Sequence, residues 1–567
     1  MYLRITQRQN RDGSTVAYYA LAESVWNPDA KRREARVVHS FGRADQLDRA
    51  ALERLVSSIN RVLDDGAGTG AAKTAPGIPE IDFERVFELG VVLAARALWE
   101  ELGIGPAIRA CAARARLTAP HETALFAMAA NRLDEPSSKL ACAARWLPDI
   151  AWLPDAAGPV DQCYRALDFF AVWSDEIERD VFLKAADLFR LDVDLIFYDT
   201  TTAYFEIDEP DETEQEFAGR LYVPLRRRGH SKEGRDNQPQ VIIALAVTRD
   251  GMPVRSWVLP GDTADVATVA RIKDDLRAWR LGRCLFVGDA GMYSADNLAA
   301  LSRGLGRYIL AVPMRKVKDI ETEVLTRPGR YKQVADNLQV KEVWVGDGER
   351  RKRYVLCLNP QEAERERQHR AQLLRELDAE LSLLDNRADD HPKAACALLA
   401  SRRFGRYLSA DWRGRPQLDA AKVKAAEKFD GKFVVISNDD TLSAEDIALG
   451  YKGGWIIESC FRRMKQTGLE VRPMFHSTPR RIEAHVKLCV LALQMQRAAE
   501  IRCGLPWARI AHALGTLKAV RYRCERRTIV QRTKIAAELS AMLKTLGISM
   551  PKQILAVEEA PQAVATA

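Results

Sequence analysis

Near residue 195 the hydrophobic period of the chain changes from helical to strand-like, and this change constrains the fold more than any other feature. From about 82 to 190 the apolar residues recur with a helical period, in FERVFELGVVLAARALWEEL, ETALFAMAANRL, CYRALDFFAVW and EIERDVFLKAADLF. After it, LIFYDTTTAYFE, QVIIALAVT and VRSWVLP read as strands, and DVATVARIKDDLRAW as a helix. CLFVGD reads as a buried strand, SADNLAALSRG as a helix and RYILAVP as another strand. The order is three strands, helix, strand, helix, strand, with Asp250-Gly251 as the turn between the second and third strands. This is the pattern of an α/β chain built on a mixed sheet.

The chain has 567 residues, enough for several domains. Residues 1–65 predict a small β-rich unit followed by a helix over 48–63. Residues 66–80, rich in Gly, Ala and Thr, predict a linker, and 81–190 a helical domain. The strand-rich region falls into 191–319 and 431–505, separated by an insertion at 320–430. There VKEVWVGDGERRKRYVLCL predicts a hairpin, and Pro360 to Leu384 a long charged helix. Residues 506–567 predict a basic helical region with a disordered tail.

Hydrophobic residues make up 47% and charged residues 29%, which excludes collagenous, wholly disordered and disulfide-scaffold proteins. No apolar run reaches the roughly 18 residues that span a bilayer, and MYLRITQRQN lacks the apolar stretch of a secretory signal. The ten cysteines show no C-x-x-C spacing, so reduced thiols in a cytoplasmic protein are expected, without zinc or disulfides. The net charge of +7 is small for this length, so charge must be read locally.

Two aspartates stand at strand ends. Asp199 shares a face with Leu195 and Phe197, and Asp289 with Leu285 and Val287. Either one alone could simply cap the following turn. Two on strands of one sheet point further, because a carboxylate at the end of an apolar strand is costly unless it is paired, hydrogen-bonded or metal-bound. Tyr451, Glu458 and Lys465 follow at spacings of seven, about two helical turns each, so a helix over 443–467 carries them on one stripe, with Arg462 beside Glu458. By itself this stripe could be a solvated face.

Together these residues resemble the DDE transposases of bacterial insertion sequences, in the group with a Y-x2-R-x3-E-x6-K signature. Tyr451, Glu458 and Lys465 match that signature in type and spacing, while Gly454 stands at the arginine position. YDTT at 198–201 and GDAGM at 288–292 resemble the motifs that carry the two aspartates. GHSKEGR at 229–235, LPGDTAD at 259–265 and RPMFH at 472–476 also resemble this group. The resemblance covers about 190–500 well and the first 65 residues loosely.

It implies a ribonuclease-H-like catalytic core, with Asp199, Asp289 and Glu458 as the catalytic and metal-binding carboxylates. Carboxylates without His or Cys suit hard cations, so two Mg²⁺ or Mn²⁺ ions are expected. The implied reactions are hydrolysis at a transposon end and transesterification of the new 3′-hydroxyl into target DNA. The implied partner is double-stranded DNA, bound by a homodimer that joins two ends. By resemblance Tyr451 and Lys465 contact phosphates. Further expected DNA contacts are Arg462, Arg463, Lys232, Arg228, Arg480 and Arg481, together with the stretch 518–534, which holds seven Lys or Arg against one acidic residue. The helical domain and the β-rich N-terminus are alternative readers of the end sequence. Another ribonuclease-H-like nuclease and a catalytically dead DNA-binding descendant remain as alternative readings.

Overall fold

The computed structural model describes residues 2–9, 15–27, 32–43, 81–151, 158–191, 193–348, 351–385, 392–466 and 468–559. The expected helix over 48–63 and the linker at 66–80 lie outside the described residues. The chain divides into two compact units, 1–81 and 82–567.

In the first unit, β1 (Tyr2–Gln9), β2 (Thr15–Asn27) and β3 (Arg32–Arg43) form an antiparallel sheet in that order. This agrees with the strand-like alternation of residues 1–45.

The second unit opens with β4 (Ile81–Glu88), a strand where the sequence suggested helix. Helices α1 (Gly90–Glu101), α2 (Ile104–Arg114), α3 (His121–Asp134) and α4 (Val160–Phe189) follow. Next come β5 (Leu195–Tyr204), the small hairpin β6 (Gln215–Phe217) and β7 (Arg220–Tyr222), β8 (Gln240–Thr248) and β9 (Pro253–Pro260). Then α5 (Asp265–Ala278), β10 (Leu285–Gly288), α6 (Ala295–Ser302) and β11 (Arg307–Ala311) complete the expected order. β5 pairs antiparallel with β8 and parallel with β10, and β10 runs parallel to β11, so the sheet is mixed.

The insertion differs from a separate domain. Its strands β12 (Lys332–Ala335), β13 (Leu338–Val345) and β14 (Lys352–Leu358) extend the same sheet, with β17 (Lys432–Ser437) between β14 and β11. The nine strands run β12-β13-β14-β17-β11-β10-β5-β8-β9. Only the excursion between β14 and β17 stands off the sheet. It holds α7 (Pro360–Asp385), α8 (Pro392–Ala400), β15 (Leu408–Ala410), β16 (Pro416–Leu418) and α9 (Ala420–Glu427), around a small core that includes Leu377, Tyr407 and Leu408. It leaves and returns at one point, where Asn359 N–H donates to the Gly431 carbonyl at 2.7 Å.

Beyond β17 lie α10 (Ala444–Lys452), α11 (Trp455–Lys465), α12 (Pro479–Cys503) and α13 (Trp507–Leu514). The C-terminal region is not all helix. β18 (Lys518–Cys524) and β19 (Arg527–Arg532) form a hairpin, α14 (Ala537–Thr545) follows, and β20 (Ile554–Glu559) completes a sheet in the order β20-β19-β18-β4. The acidic side chains of β4 explain the strand: Arg523 pairs with Asp82 and Glu84 at 3.2 Å each, and Arg521 with Glu84 at 3.3 Å.

β5 is apolar on both sides, as expected of a strand covered on both faces. Leu195 and Phe197 join a core with α11 and α12, whereas Ile196 and Tyr198 join the opposite core with α5 and α6. α12 packs against α3, α4 and β9 and is buried along most of its length. In its middle, Lys487 is 2% exposed and meets Asp175 and Glu178 of α4, the latter at 3.0 Å, and Glu483 at 3.7 Å. Ser256 of β9 donates to Glu178. Burial alone would lower the Lys487 pKa, but Glu178, Asp175 and Glu483 hold it above the ordinary lysine value. This cluster ties the helical layer to the sheet.

Removing one partner of such a buried pair leaves an uncompensated charge, at a cost of about 3–5 kcal/mol. Lys487→Met should therefore lower stability by that amount in urea unfolding, and adding Glu178→Gln should restore most of it. A single variant as stable as the parent would show that the cluster does not hold these layers together.

Candidate active site

Asp289 lies directly after β10, as expected, but Asp199 does not end its strand: β5 runs on through the threonines to Tyr204, so Asp199 sits in its middle, beside Asp289 on the adjacent parallel strand. Asp289 caps the turn that follows it, its Oδ1 accepting from Gly291 N–H at 2.9 Å, whereas Asp199, inside a strand, accepts on Oδ1 from Thr200 N–H at 2.7 Å. These bonds account for part of each carboxylate's hydrogen bonding and do not displace it from the cleft. Asp199, Asp289, Glu458 and Tyr451 line one cleft of about 230 Å³, with Phe197 and Ile457 among its walls.

The helix that carries the signature is not continuous. α10 ends at Lys452 and α11 starts at Trp455, and the bonds from Gly454 N–H to Tyr451 O and from Ile456 N–H to Gly453 O are of the tighter i→i−3 kind. Glycine is required here by close approach: a Cβ on Gly453 would meet the Phe197 ring at 2.8 Å. The Gly453-Gly454 step thus brings the junction of the two helices against Phe197 of β5, and Gly454 lies within it, at the position where the Y-x2-R-x3-E-x6-K pattern has arginine. Tyr451 packs against Phe433 at 5.6 Å between ring centroids. Burial first, then Asp289, Asp199 and Glu458, push its hydroxyl up to about 12, so it is a neutral donor at physiological pH.

A fourth carboxylate and a lysine complete the cluster. Lys232 Nζ donates to Thr200 O and to Thr200 Oγ1 at 2.8 Å each, and lies 3.2 Å from Asp265 and 3.7 Å from Asp199. Thr200 Oγ1 donates to Asp265 Oδ1 at 2.5 Å. A Cβ on Gly291 would meet Asp289 Oδ1 at 3.2 Å and Asp265 Oδ2 at 3.5 Å, so both carboxylates flank one backbone point. The loops that bring these residues here meet backbone to backbone. A Cβ on Gly229 would stand 2.1 Å from the Gly261 carbonyl, and one on Gly261 would stand 2.1 Å from the Gln240 carbonyl. Asp265 escaped the sequence reading because an acidic residue at the first position of a helix is ordinary helix chemistry. LPGDTAD carried no strand-end signal.

The residues expected on DNA fall into two groups. Arg462 and Arg228 are exposed, and Arg228 donates to the Asp208 carbonyl. The others are engaged within the protein. Lys465 pairs with Glu233 at 2.6 Å, Arg463 with Glu500 at 2.9 Å, and Arg480 and Arg481 both with Asp168 of α4, at 2.8 and 2.7 Å. Lys232 points into the carboxylate cluster.

Burial pushes Asp199 up to about 6, with Asp289 and Asp265 adding to the rise and Lys232 opposing it. Asp289 is also raised, by burial and Asp265. The cluster therefore carries more negative charge than Lys232 offsets. Among the described residues, no three His, Cys, Asp or Glu side chains are gathered closely enough to hold one ion. The donors are all carboxylate oxygens, however, and their under-compensated charge fits hard divalent cations.

Because the folded pKa of Asp199 exceeds its unfolded value, the folded state binds the extra proton between about pH 4 and 6. Its contribution to stability is then present at low pH and is lost as pH rises through about 6. Above that pH the ionised group costs on the order of 2–3 kcal/mol. In EDTA at pH 7, Asp199→Asn should therefore be more stable than the parent by about that amount, with the advantage shrinking toward pH 4. Denaturant titrations at both pH values test this, and an Asn variant no more stable at pH 7 would contradict it.

Among described residues, no helix is long and apolar enough to cross a membrane. No curated protein matches the chain. A solved structure of the piggyBac transposase synaptic complex with hairpin DNA is similar at 8% identity and a TM-score of 0.31, over 82% of each chain, too slight a likeness to argue from. The family described as Transposase DDE domain matches residues 211–495, half of the chain, a span that includes Asp265, Asp289 and Glu458 and begins after Asp199. The N-terminal domain of the IS1634 family of transposases matches residues 3–71. The cleft of carboxylates thus lies within a chain that belongs to the DDE transposases of insertion sequences, enzymes that cleave DNA and transfer its strands.

Proposed function

We propose that Asp199, Asp289 and Glu458 are the catalytic carboxylates of this transposase, within a ribonuclease-H-like core formed by β5, β8, β9, β10 and β11. The observation that carries this reading is their common cleft with Tyr451. DDE transposases generally use divalent metal ions. Two such ions, Mg²⁺ or Mn²⁺, held by the three carboxylates would supply the Lewis acidity that activates the attacking hydroxyl and steadies the leaving oxygen.

The chain's own part is positioning. Asp199 and Asp289 are fixed by parallel strands and by the backbone hydrogen bonds they accept, so their oxygens need little reorganisation. Glu458 is exposed on α11 and faces them from across the cleft. Tyr451 offers a neutral hydroxyl to a phosphate oxygen beside the scissile bond. Arg462 and Arg228 supply exposed positive charge along the DNA backbone. Lys465, Arg463, Arg480 and Arg481 would reach phosphate only by exchanging their present carboxylate partners, which suits contacts that form on end binding. With Gly454 at the signature arginine position, Arg462, Arg463 or Lys452 would supply that charge.

Hydrolysis at an insertion-sequence end would free a 3′-hydroxyl, which then attacks target DNA, without a covalent link between protein and DNA. The partners would be terminal repeats and target DNA, bound by a homodimer in the cytoplasm. The helices over 82–190 or the β-rich N-terminus would read the end sequence.

Asp199→Asn, Asp289→Asn and Glu458→Gln should each abolish Mg²⁺-dependent cleavage of end DNA while leaving end binding within about twofold. Cleavage retained in any variant removes that residue from the site. A blank parent with normal end binding would favour an inactive DNA-binding descendant, and cleavage without strand transfer would favour a simple nuclease.

A further inference from the structure

Among the described residues, Lys232 is the positive side chain that pairs with carboxylates of the cluster. Its ammonium contacts four oxygens, on Thr200 O, Thr200 Oγ1, Asp265 and Asp199. Three of these belong to groups outside the proposed metal-binding set, and the contact to Asp199 is the longest. The loop that carries it is held from several sides. Lys232 N–H donates to Thr202 Oγ1 at 3.2 Å, Ser231 N–H donates to Asp236 Oδ1 at 2.6 Å, and Gly229 packs on Gly261. Asp265, in turn, is fixed at the first position of α5 and by the Thr200 hydroxyl. The side chain can therefore leave Asp199 while keeping most of its hydrogen bonds.

Three carboxylates around one cleft repel one another. A cation nearby lowers that repulsion but competes with any further cation for the same oxygens, and the competition is strong at separations of a few ångströms in a partly desolvated site. We infer that Lys232 is the resident counter-cation of the active site: it neutralises the carboxylates before divalent ions bind, and it yields Asp199 to them by drawing back onto Asp265. Asp265 is then a positioning residue that acts through Lys232. Lys232 is thereby assigned to the carboxylates in the free protein rather than to the DNA backbone. This rests on the reading of Asp199 as a metal ligand.

The test is Mn²⁺ binding to the full chain without DNA, followed by electron paramagnetic resonance at pH 7.5. Lys232→Met should bind Mn²⁺ about tenfold more tightly than the parent, as expected for removing a unit charge a few ångströms from the site. Lys232→Gln should do the same while keeping a donor for Thr200, and it carries the test if the Met variant fails to fold. The gain from Lys232→Met should be larger in an Asp265→Asn background, where Asp199 is the one carboxylate left in direct contact with the lysine among the described residues. Asp199→Asn serves as the reference. If it abolishes Mn²⁺ binding while both Lys232 variants bind no more tightly than the parent, the inference is overturned and the assignment of Asp199 stands. If Asp199→Asn binds Mn²⁺ like the parent, both fall. An equal gain in the two backgrounds would remove Asp265 from the proposal.

Discussion

A sheet covered on both faces leaves polar chemistry only one place to go. β5 and β8 are buried along nearly their whole length, with apolar side chains turned alternately to α11 and α12 and to α5 and α6. A carboxylate in the doubly covered part of either strand would lack both water and partners. Beyond Phe197 β5 loses its pairing with β10, and side chains there can be half-buried, oriented by backbone and still reachable. Asp199, in the middle of β5, and Asp289, directly after β10, stand at that point on neighbouring parallel strands. The rest of the site is assembled by whatever can be brought over that edge: α11 with Glu458, the loop with Lys232 and the start of α5 with Asp265.

This placement explains why so much of the site was legible in the sequence. Apolar runs that include Asp, the alternation of strand and helix after residue 195 and the seven-residue spacing of Tyr451, Glu458 and Lys465 are local signals, and the structure brings Asp199, Asp289, Tyr451 and Glu458 to one cleft, while Lys465 pairs with Glu233. What escaped was decided by distant partners. Lys and Arg are good helix formers, so the stretch 518–534 read as helix. It is a hairpin because its basic side chains face the acidic strand at 81–88, more than 400 residues earlier. β4 itself was missed for the same reason. The break at Gly453-Gly454 was hidden because its cause is the ring of Phe197 on another element. Asp265 was hidden because its role depends on a threonine and a lysine from two other segments.

The small net charge of the chain now has a structural meaning. Much of the basic surface anticipated from sequence is spent inside the protein, where Arg480 and Arg481 hold Asp168 and Lys465 holds Glu233, and Lys487, which the sequence did not single out, holds the α4 carboxylates. Two of these pairings, at Asp168 and at Lys487, fasten α12 to α4, so the helical layer is bound to the sheet by charge as well as by apolar contact. Clusters of like sign in a sequence are therefore weak evidence for a nucleic-acid face until their partners are known. Exposed residues such as Arg462 and Arg228 make the stronger case.

The excursion between β14 and β17 begins and ends at neighbouring backbone groups, Asn359 and Gly431. The two strands on either side of it are hydrogen-bonded to each other along six residues, so the sheet does not register how much chain lies between them. Cutting further back is another matter, because β14 covers one side of β17, and an uncovered strand there would invite pairing with other chains. Length is thus free at this single junction and constrained on both sides of it. A short turn, a longer helical arm or a foreign domain could be grafted there without moving the carboxylates, which makes the junction the natural place to attach a tether or a targeting module to the enzyme.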